Sequence, residues 1–235
     1  PETSHPMAQQ EQSILDIRRE TMVDRLVQRL QESIFSGKRM PATPISEVGV
    51  AKEFGVSRIP AREALQRLEE MNLVRKTHRG REIVQFSREE FSHIYELKNI
   101  VEAFGAMKGS LNAGPQETKR IKKILGKMEQ ALSARDMEQL KLLSYEFHES
   151  IVFCCNNNKI IETYLSLARQ IRWATSISLC AQDRPAQSLE EHKEIFAAFQ
   201  RKEAEKVRTL IERHSNLVMN RILSQMESLK PGSVR

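Results

Sequence analysis

Apolar positions recur at helical spacing through most of this chain, and the pattern changes in one short region. From Ile14 to Ile34 the run ILDIRRETMVDRLVQRLQESI carries Met22, Leu26, Leu30 and Ile34 on one stripe, which predicts an amphipathic helix. Ser36-Gly37-Lys38 ends it, and Pro41 and Pro44 keep the next residues extended. Ser46 is placed to cap a short helix that turns Val50, Ala51 and Phe54 inward. Gly55 then permits a left-handed turn, Ser57 stands where a hydroxyl caps the following helix, and Pro60 falls in its first turn. On that helix Ala61, Ala64, Leu65, Leu68 and Met71 share one side, while Arg58, Arg62 and Gln66 share another. Here the period changes to two. Leu73 to Thr77 and Arg81 to Phe86 read as short strands around a basic tip, His78-Arg79-Gly80.

From Ser87 the pattern is helical again and stays so. Ser87 with Glu90 makes a capping box, and the run through Ile94, Leu97, Ile100 and Val101 continues to about Leu111. Gly114-Pro115 opens a second helix that ends near Ser133, and Asp136 with Gln139 opens a third through Leu140, Leu143, Phe147 and Ile151. Asn156-Asn157-Asn158 breaks that one. A fourth runs from about Ile160 to Leu179, a loop follows through Pro185, and two more cover Leu189 to Phe199 and Glu203 to Gln225. The predicted fold is mainly α. An N-terminal winged helix-turn-helix with a small β-hairpin wing (13–86) precedes an antiparallel all-α bundle of about six helices (87–228). Residues 1–12 and 229–235 read as disordered tails, and Pro1 to Pro6 as a cloning scar ahead of Met7.

Composition changes this picture only at the margins. A net charge of +6 over 235 residues fits a nucleic-acid partner without requiring one. Between Gly55 and Phe86 the balance tilts further, with Arg58, Arg62, Arg67, Arg75, Lys76, Arg79 and Arg81 against Glu63, Glu69, Glu70 and Glu82. Three cysteines, two of them the adjacent Cys154 and Cys155, are no disulfide framework; they read as small buried hydrophobes in a cytoplasmic protein. No apolar run approaches a membrane span, so no membrane role is expected.

A narrow helix showing two guanidinium groups and an amide at one-turn spacing is suited to the major groove of DNA. The same residues also describe an ordinary amphipathic helix, whose arginines pair with Glu63, Glu69 and Glu70. The hairpin directly behind the helix weighs against the ordinary reading, because Arg79 at its tip is placed to enter a minor groove. The segment from Leu30 to Val84 resembles the DNA-binding domain of GntR-type transcriptional regulators. The motifs are Ser46-Glu47, the run from Gly55 to Leu65, Leu73-Val74 and His78-Arg79-Gly80. The resemblance implies a dimer on palindromic operator DNA, with contacts from Ser46, Ser57, Arg58, Arg62, Gln66, His78, Arg79 and Gly80. The chain departs from the family at Ala42, where glycine is usual after proline, at Val48 and Gly49 in the second helix, and at His78.

His148, His192 and His214 lie on three different predicted helices of the second half, 44 and 22 residues apart. Imidazoles on facing helices of a bundle hold divalent metals, and three independently buried histidines would give the same spacing. The segment from Ser87 to about Met226 resembles the FCD effector domain that follows the winged helix in one GntR branch. The matching motifs are Phe147-His148, Glu191-His192 with Ile195 and Ala198, and His214. That resemblance implies a metal, zinc or similar, on the three histidines at the floor of a pocket for a small carboxylate effector. In the family an aspartate one turn before the first histidine completes the set; here that position is Ser144. Lys98 stands where many members have an arginine, and Arg169 and Arg172 are the other basic residues placed to hold the acid. The sequence thus reads as a DNA-binding regulator whose operator affinity a small organic acid modulates. A metal-dependent hydrolase on a helical bundle with an accessory basic domain is the alternative, but no general base at recognisable spacing accompanies the histidines.

Overall fold

The computed structural model describes residues 21–177 and 184–228. The expected tails, the cloning scar, the start of the first helix, Leu179 and Cys180 all lie outside the described residues. The chain divides into two compact units after Val84.

In the first unit, α1 (Met22–Phe35) begins at Thr21, whose Oγ1 accepts from Asp24 N while its own N–H donates to the Asp24 carboxylate. Leu26, Val27, Leu30 and Ile34 are buried, whereas Met22, the first residue of the predicted stripe, is exposed. α2 (Glu47–Phe54) is capped by Ser46 Oγ, which accepts from Gly49 N at 3.0 Å. Gly55, at φ +66, then turns the chain into α3 (Arg58–Glu70), and both α1 and α2 pack on α3. Ala61, Ala64, Leu65 and Leu68 are fully buried on the inner side of α3, as their spacing predicts. β2 (Val74–Thr77) and β3 (Gly80–Ile83) form the hairpin. The sequence pattern marks Pro44 as extended chain only; with Ile45 it forms β1 (Pro44–Ile45), which pairs antiparallel with β3 in a sheet ordered β1-β3-β2. Proline is tolerated there because β1 is an edge.

Ala42, just before β1, sits in the left-handed region at φ +55, and its N–H donates to Ile83 O. An L side chain in that region costs roughly 1–2 kcal/mol, and glycine escapes it at some loss of unfolded-state entropy. Ala42→Gly should therefore stabilise the first unit by about 0.5–1 kcal/mol, read as a raised urea midpoint with unchanged slope.

The second unit is helical: α4 (Arg88–Asn112), α5 (Pro115–Ser133), α6 (Met137–Phe153), α7 (Asn158–Ile177), α8 (Pro185–Gln200) and α9 (Ala204–Ser228). Ser87 and Glu90 close the predicted capping box at the start of α4, and Asp136 accepts from Gln139 N at the start of α6. α4 is the organising helix, packing against α6, α7, α8 and α9. It can do so because its buried face is broad and long, from Phe91 and Tyr95 through Lys98, Glu102, Ala103, Ala106 and Gly109. Among the described residues no helix is long and apolar enough to cross a membrane.

Candidate functional site

Two groups of side chains have the chemistry of recognition. The first lies on α3 and the hairpin. Arg58, Arg62 and Gln66 are exposed together on the outer side of α3, opposite its buried alanines and leucines. Ser57 occupies the cap position, but its hydroxyl makes no cap hydrogen bond, contrary to the sequence expectation. Ser57 keeps the extended backbone of an N-cap residue, and Pro60 falls in the first turn, where its missing N–H costs little. Arg67, at the side of the helix, is ion-paired with Asp24 of α1, so it staples two helices. At the hairpin tip His78, Arg79 and Gly80 are exposed, and Arg79 Nε lies 3.1 Å from His78 Nε2.

An ion-pair network fixes the hairpin against the helices. Arg81 of β3 reaches both Glu69 of α3 and Glu47 of α2, with its Nη1 3.0 Å from Glu47 Oε1. Lys76 of β2 also pairs with Glu69, and Arg58 lies 3.8 Å from Glu47. Helical spacing assigns Glu69 to arginines of its own helix; the hairpin claims it instead. Tertiary proximity is the reason, since Arg81 is largely buried and its charge needs two carboxylates.

The second group is the imidazole cluster. His148 from α6, His192 from α8 and His214 from α9 converge, with one ligand atom from each within 4.8 Å of the others. All three are buried, and the His148 and His214 rings stack at 5.2 Å between centroids. Their hydrogen bonding decides which nitrogen faces inward. His192 Nδ1 is 2.6 Å from Ser188 O, and a carbonyl can only accept, so that nitrogen carries the proton. His214 Nδ1 likewise meets Glu191 Oε2 at 2.7 Å. His148 Nδ1 lies 2.6 Å from Glu102 Oε1, although neither atom has a well-directed hydrogen bond. With Nδ1 of His192 and His214 engaged outward, their Nε2 atoms remain for the centre, and His192 Nε2 stands 3.1 Å from His148 Nε2 and 3.1 Å from Ser144 Oγ. Burial, reinforced by the neighbouring imidazoles, holds His192 well below the ordinary histidine range, and burial lowers His214 as well. Neutral rings are what a metal needs.

These residues fit a cation. Two ligands at about 2.0–2.1 Å from a tetrahedral ion stand about 3.3 Å apart, close to the 3.1 Å between His148 Nε2 and His192 Nε2. His192 carries its proton on Nδ1, so its Nε2 presents a lone pair toward His148 Nε2, as a metal ligand must. Each outer nitrogen abuts a carboxylate or carbonyl oxygen, the usual way of orienting a metal-binding imidazole.

The predicted basic residues differ in what they touch. Lys98 is buried and ion-paired with Glu102, with its Nζ also 3.4 Å from Ser215 Oγ. Arg172 lies over the Tyr145 ring, 4.7 Å from its centroid. Arg169 has a buried Nε with no hydrogen-bond partner, and burial lowers its pKa. Both arginines and His148 act electrostatically on Glu149, whose pKa burial raises. Cys154 and Cys155 are buried small residues, as expected, and burial pushes the Cys154 thiol up to about 11.

Glu102 escaped the sequence reading. It is completely buried and touches Lys98, His148 and Ser215. The signal was present: one acid among Ile100, Val101, Ala103 and Phe104, four residues after a lysine.

Comparison with known proteins places the geometry in a lineage. Residues 22–84 match the model for bacterial regulatory proteins of the gntR family, and residues 93–217 match the FCD domain. The chain belongs to the GntR family. It is a DNA-binding transcriptional regulator with a C-terminal FCD domain that contains a buried histidine triad. It is 27% identical over 191 residues to an uncharacterised helix-turn-helix regulator of Bacillus subtilis, YdhC, covering 80% of this chain and 85% of that one. It is 30% identical over 144 residues to the gluconate operon transcriptional repressor of Bacillus licheniformis, covering 61% and 59%. A GntR regulator structure from Rhodococcus shares the fold at a TM-score of 0.72 and 22% identity, covering 86% of this chain and 97% of that one. Escherichia coli McbR/YncC does so at 0.71 and 19%, covering 88% and 99%. The curated relatives are transcriptional regulators, which sets aside the hydrolase alternative.

Proposed function

We propose that this GntR regulator binds a palindromic operator as a homodimer and that a small carboxylate, held beside a divalent metal in the FCD domain, modulates that binding. The observation that carries the effector half is the convergence of three buried imidazoles on one point, two of them hydrogen-bonded outward through Nδ1. His148, His192 and His214 hold the ion, zinc or a similar first-row metal, and Ser144 borders the position that a charged ligand occupies in the wider family. Bound there, the ion supplies a Lewis-acidic place for a carboxylate oxygen. Arg169, whose buried Nε lacks a hydrogen-bond partner, is the first candidate to neutralise the acid, with Arg172, which lies over Tyr145, as the second, while Lys98 is shared with Glu102. The change is passed on along α4, which carries Lys98 and begins directly after the link at Gln85-Phe86.

On DNA, Arg62, Arg58 and Gln66 read base edges in the major groove. Ser46, Ser57 and the hairpin tip at His78, Arg79 and Gly80 grip backbone and minor groove. Operator binding measured by fluorescence anisotropy tests this half. Arg62→Ala should weaken specific binding by about 1–3 kcal/mol, because a bidentate contact to a base is lost. Arg67→Ala should cost less, since Arg67 is engaged with Asp24. Equal losses, or an affinity indifferent to salt, would mean that α3 does not read the operator. Repeating the titration with zinc and a panel of small acids tests the effector half.

A further inference from the structure

The triad has an unusual companion in Glu102. A carboxylate with no solvent exposure is costly unless positive or polar groups surround it. Here one oxygen faces His148 Nδ1 at 2.6 Å and the other takes Lys98 and, at 3.3 Å, the Ser215 hydroxyl. The Lys98 ammonium therefore accounts for one side of this carboxylate, and the other side is aimed at a histidine of the cluster. The cluster itself lacks a charged oxygen, because a serine, Ser144, stands against His192 Nε2.

We infer that Glu102, alongside Glu191 behind His214, is a positioning residue that supplies anionic charge to this site: it orients His148 through Nδ1 and makes its Nε2 a stronger metal ligand. This rests on the reading of the triad as a metal site and adds what sets its affinity. A carboxylate behind a metal-bound imidazole fixes the ring and raises its basicity. Such a carboxylate compensates from one layer out for the oxygen that Ser144 does not provide. Lys98 opposes it, because its cation draws on the same carboxylate. Lys98, Glu102 and His148 thus form one chain of charge. Whatever engages the Lys98 ammonium changes the share of Glu102 that His148 receives.

The test is titration of the metal-free full-length protein with zinc and with cobalt against a chromophoric chelator, with circular dichroism confirming the fold of each variant. Glu102→Gln keeps the shape and removes the charge, so zinc affinity should fall by about 10–100-fold. The visible bands of bound cobalt should shift as His148 turns. Lys98→Met should bind zinc more tightly than the wild type, since the carboxylate is then left to His148; a merely structural role would weaken binding instead. Adding Ser144→Asp to Glu102→Gln should restore most of the loss by placing a charged oxygen at the metal directly. Glu102→Gln with unchanged affinity and spectrum would overturn the inference while leaving the triad a metal site. If Glu102→Gln does not fold, weaker zinc binding by Lys98→Met overturns it. A wild-type protein that takes up neither metal removes the metal reading and this inference together.

Discussion

Gly109→Ala should leave the FCD domain unfolded or severely destabilised, by about 3 kcal/mol or more, although alanine is the better helix former. A Cβ at Gly109 would sit 2.3 Å from the carbonyl oxygen of Ile151 and 3.2 Å from Cys154 Cβ. The first obstacle is backbone inside α6, which cannot swing aside as a flexible side chain can. Propensity alone predicts a gain of roughly 1 kcal/mol in the helix interior, so here steric overlap must outweigh it and reverse the sign. Gly126 on α5 is the control, because a Cβ there meets nothing within 4 Å. Gly126→Ala should accordingly stabilise the same domain by roughly 0.5–1 kcal/mol. Thermal unfolding of both variants gives the comparison, and a Gly109→Ala protein as stable as the wild type would show that α4 and α6 are less closely apposed than described. The contact matters for function as well. α4 brings Lys98 and Glu102, α6 brings Ser144 and His148, and the spacing of these two helices places one pair against the other.

That contact was not legible in the sequence, and the reason is general. A glycine in a helical pattern reads as a weakness until the partner backbone is known. The elements themselves were legible because periodicity and caps are local: Ser46, Ser87 and Asp136 each cap the helix expected of them. Local rules also produced the errors. Ser57 has a capping residue's identity and position, yet its hydroxyl makes no cap bond. Glu69 has helical spacing to arginines, yet Arg81 and Lys76 arrive from the hairpin and take it. Pro44 was readable as extended chain, but its pairing with Glu82 depends on a strand far along the sequence. The histidine triad was legible only through its resemblance to a family, since residues 44 and 22 apart carry no common period. Their partners were harder still. Nothing in spacing says that His148 faces Glu102, because that contact joins α4 to α6, whereas Glu191 beside His192 serves His214 instead.

His192→Ala should abolish metal uptake and with it any metal-dependent change in operator binding. Its Nε2 lies 3.1 Å from both His148 Nε2 and Ser144 Oγ, so it is the residue through which the other donors are linked. Removing it leaves two imidazoles and a hydroxyl, too few charged or strongly basic donors for a first-row ion. The affinity loss should exceed the roughly 100-fold that loss of an outer partner can cause. The metal-free domain should weaken much less. The ring is fully buried and packs edge-on against Phe147, 4.9 Å between centroids, so truncation opens a cavity costing about 2–3 kcal/mol. Part of that is offset, because a desolvated polar ring disappears with it. His192→Gln, which fills more of the space, should lose metal equally while recovering some stability. Competition titration with zinc and thermal melts of the metal-free variants separate the two effects. The DNA-reading residues Arg58, Arg62 and Gln66 belong to the other unit, so operator affinity without metal should match the wild type. A His192→Ala protein that still takes up zinc like the wild type would show that the three imidazoles do not share one ion. The pocket would then have to work through Arg169, Arg172 and the Lys98–Glu102 pair alone.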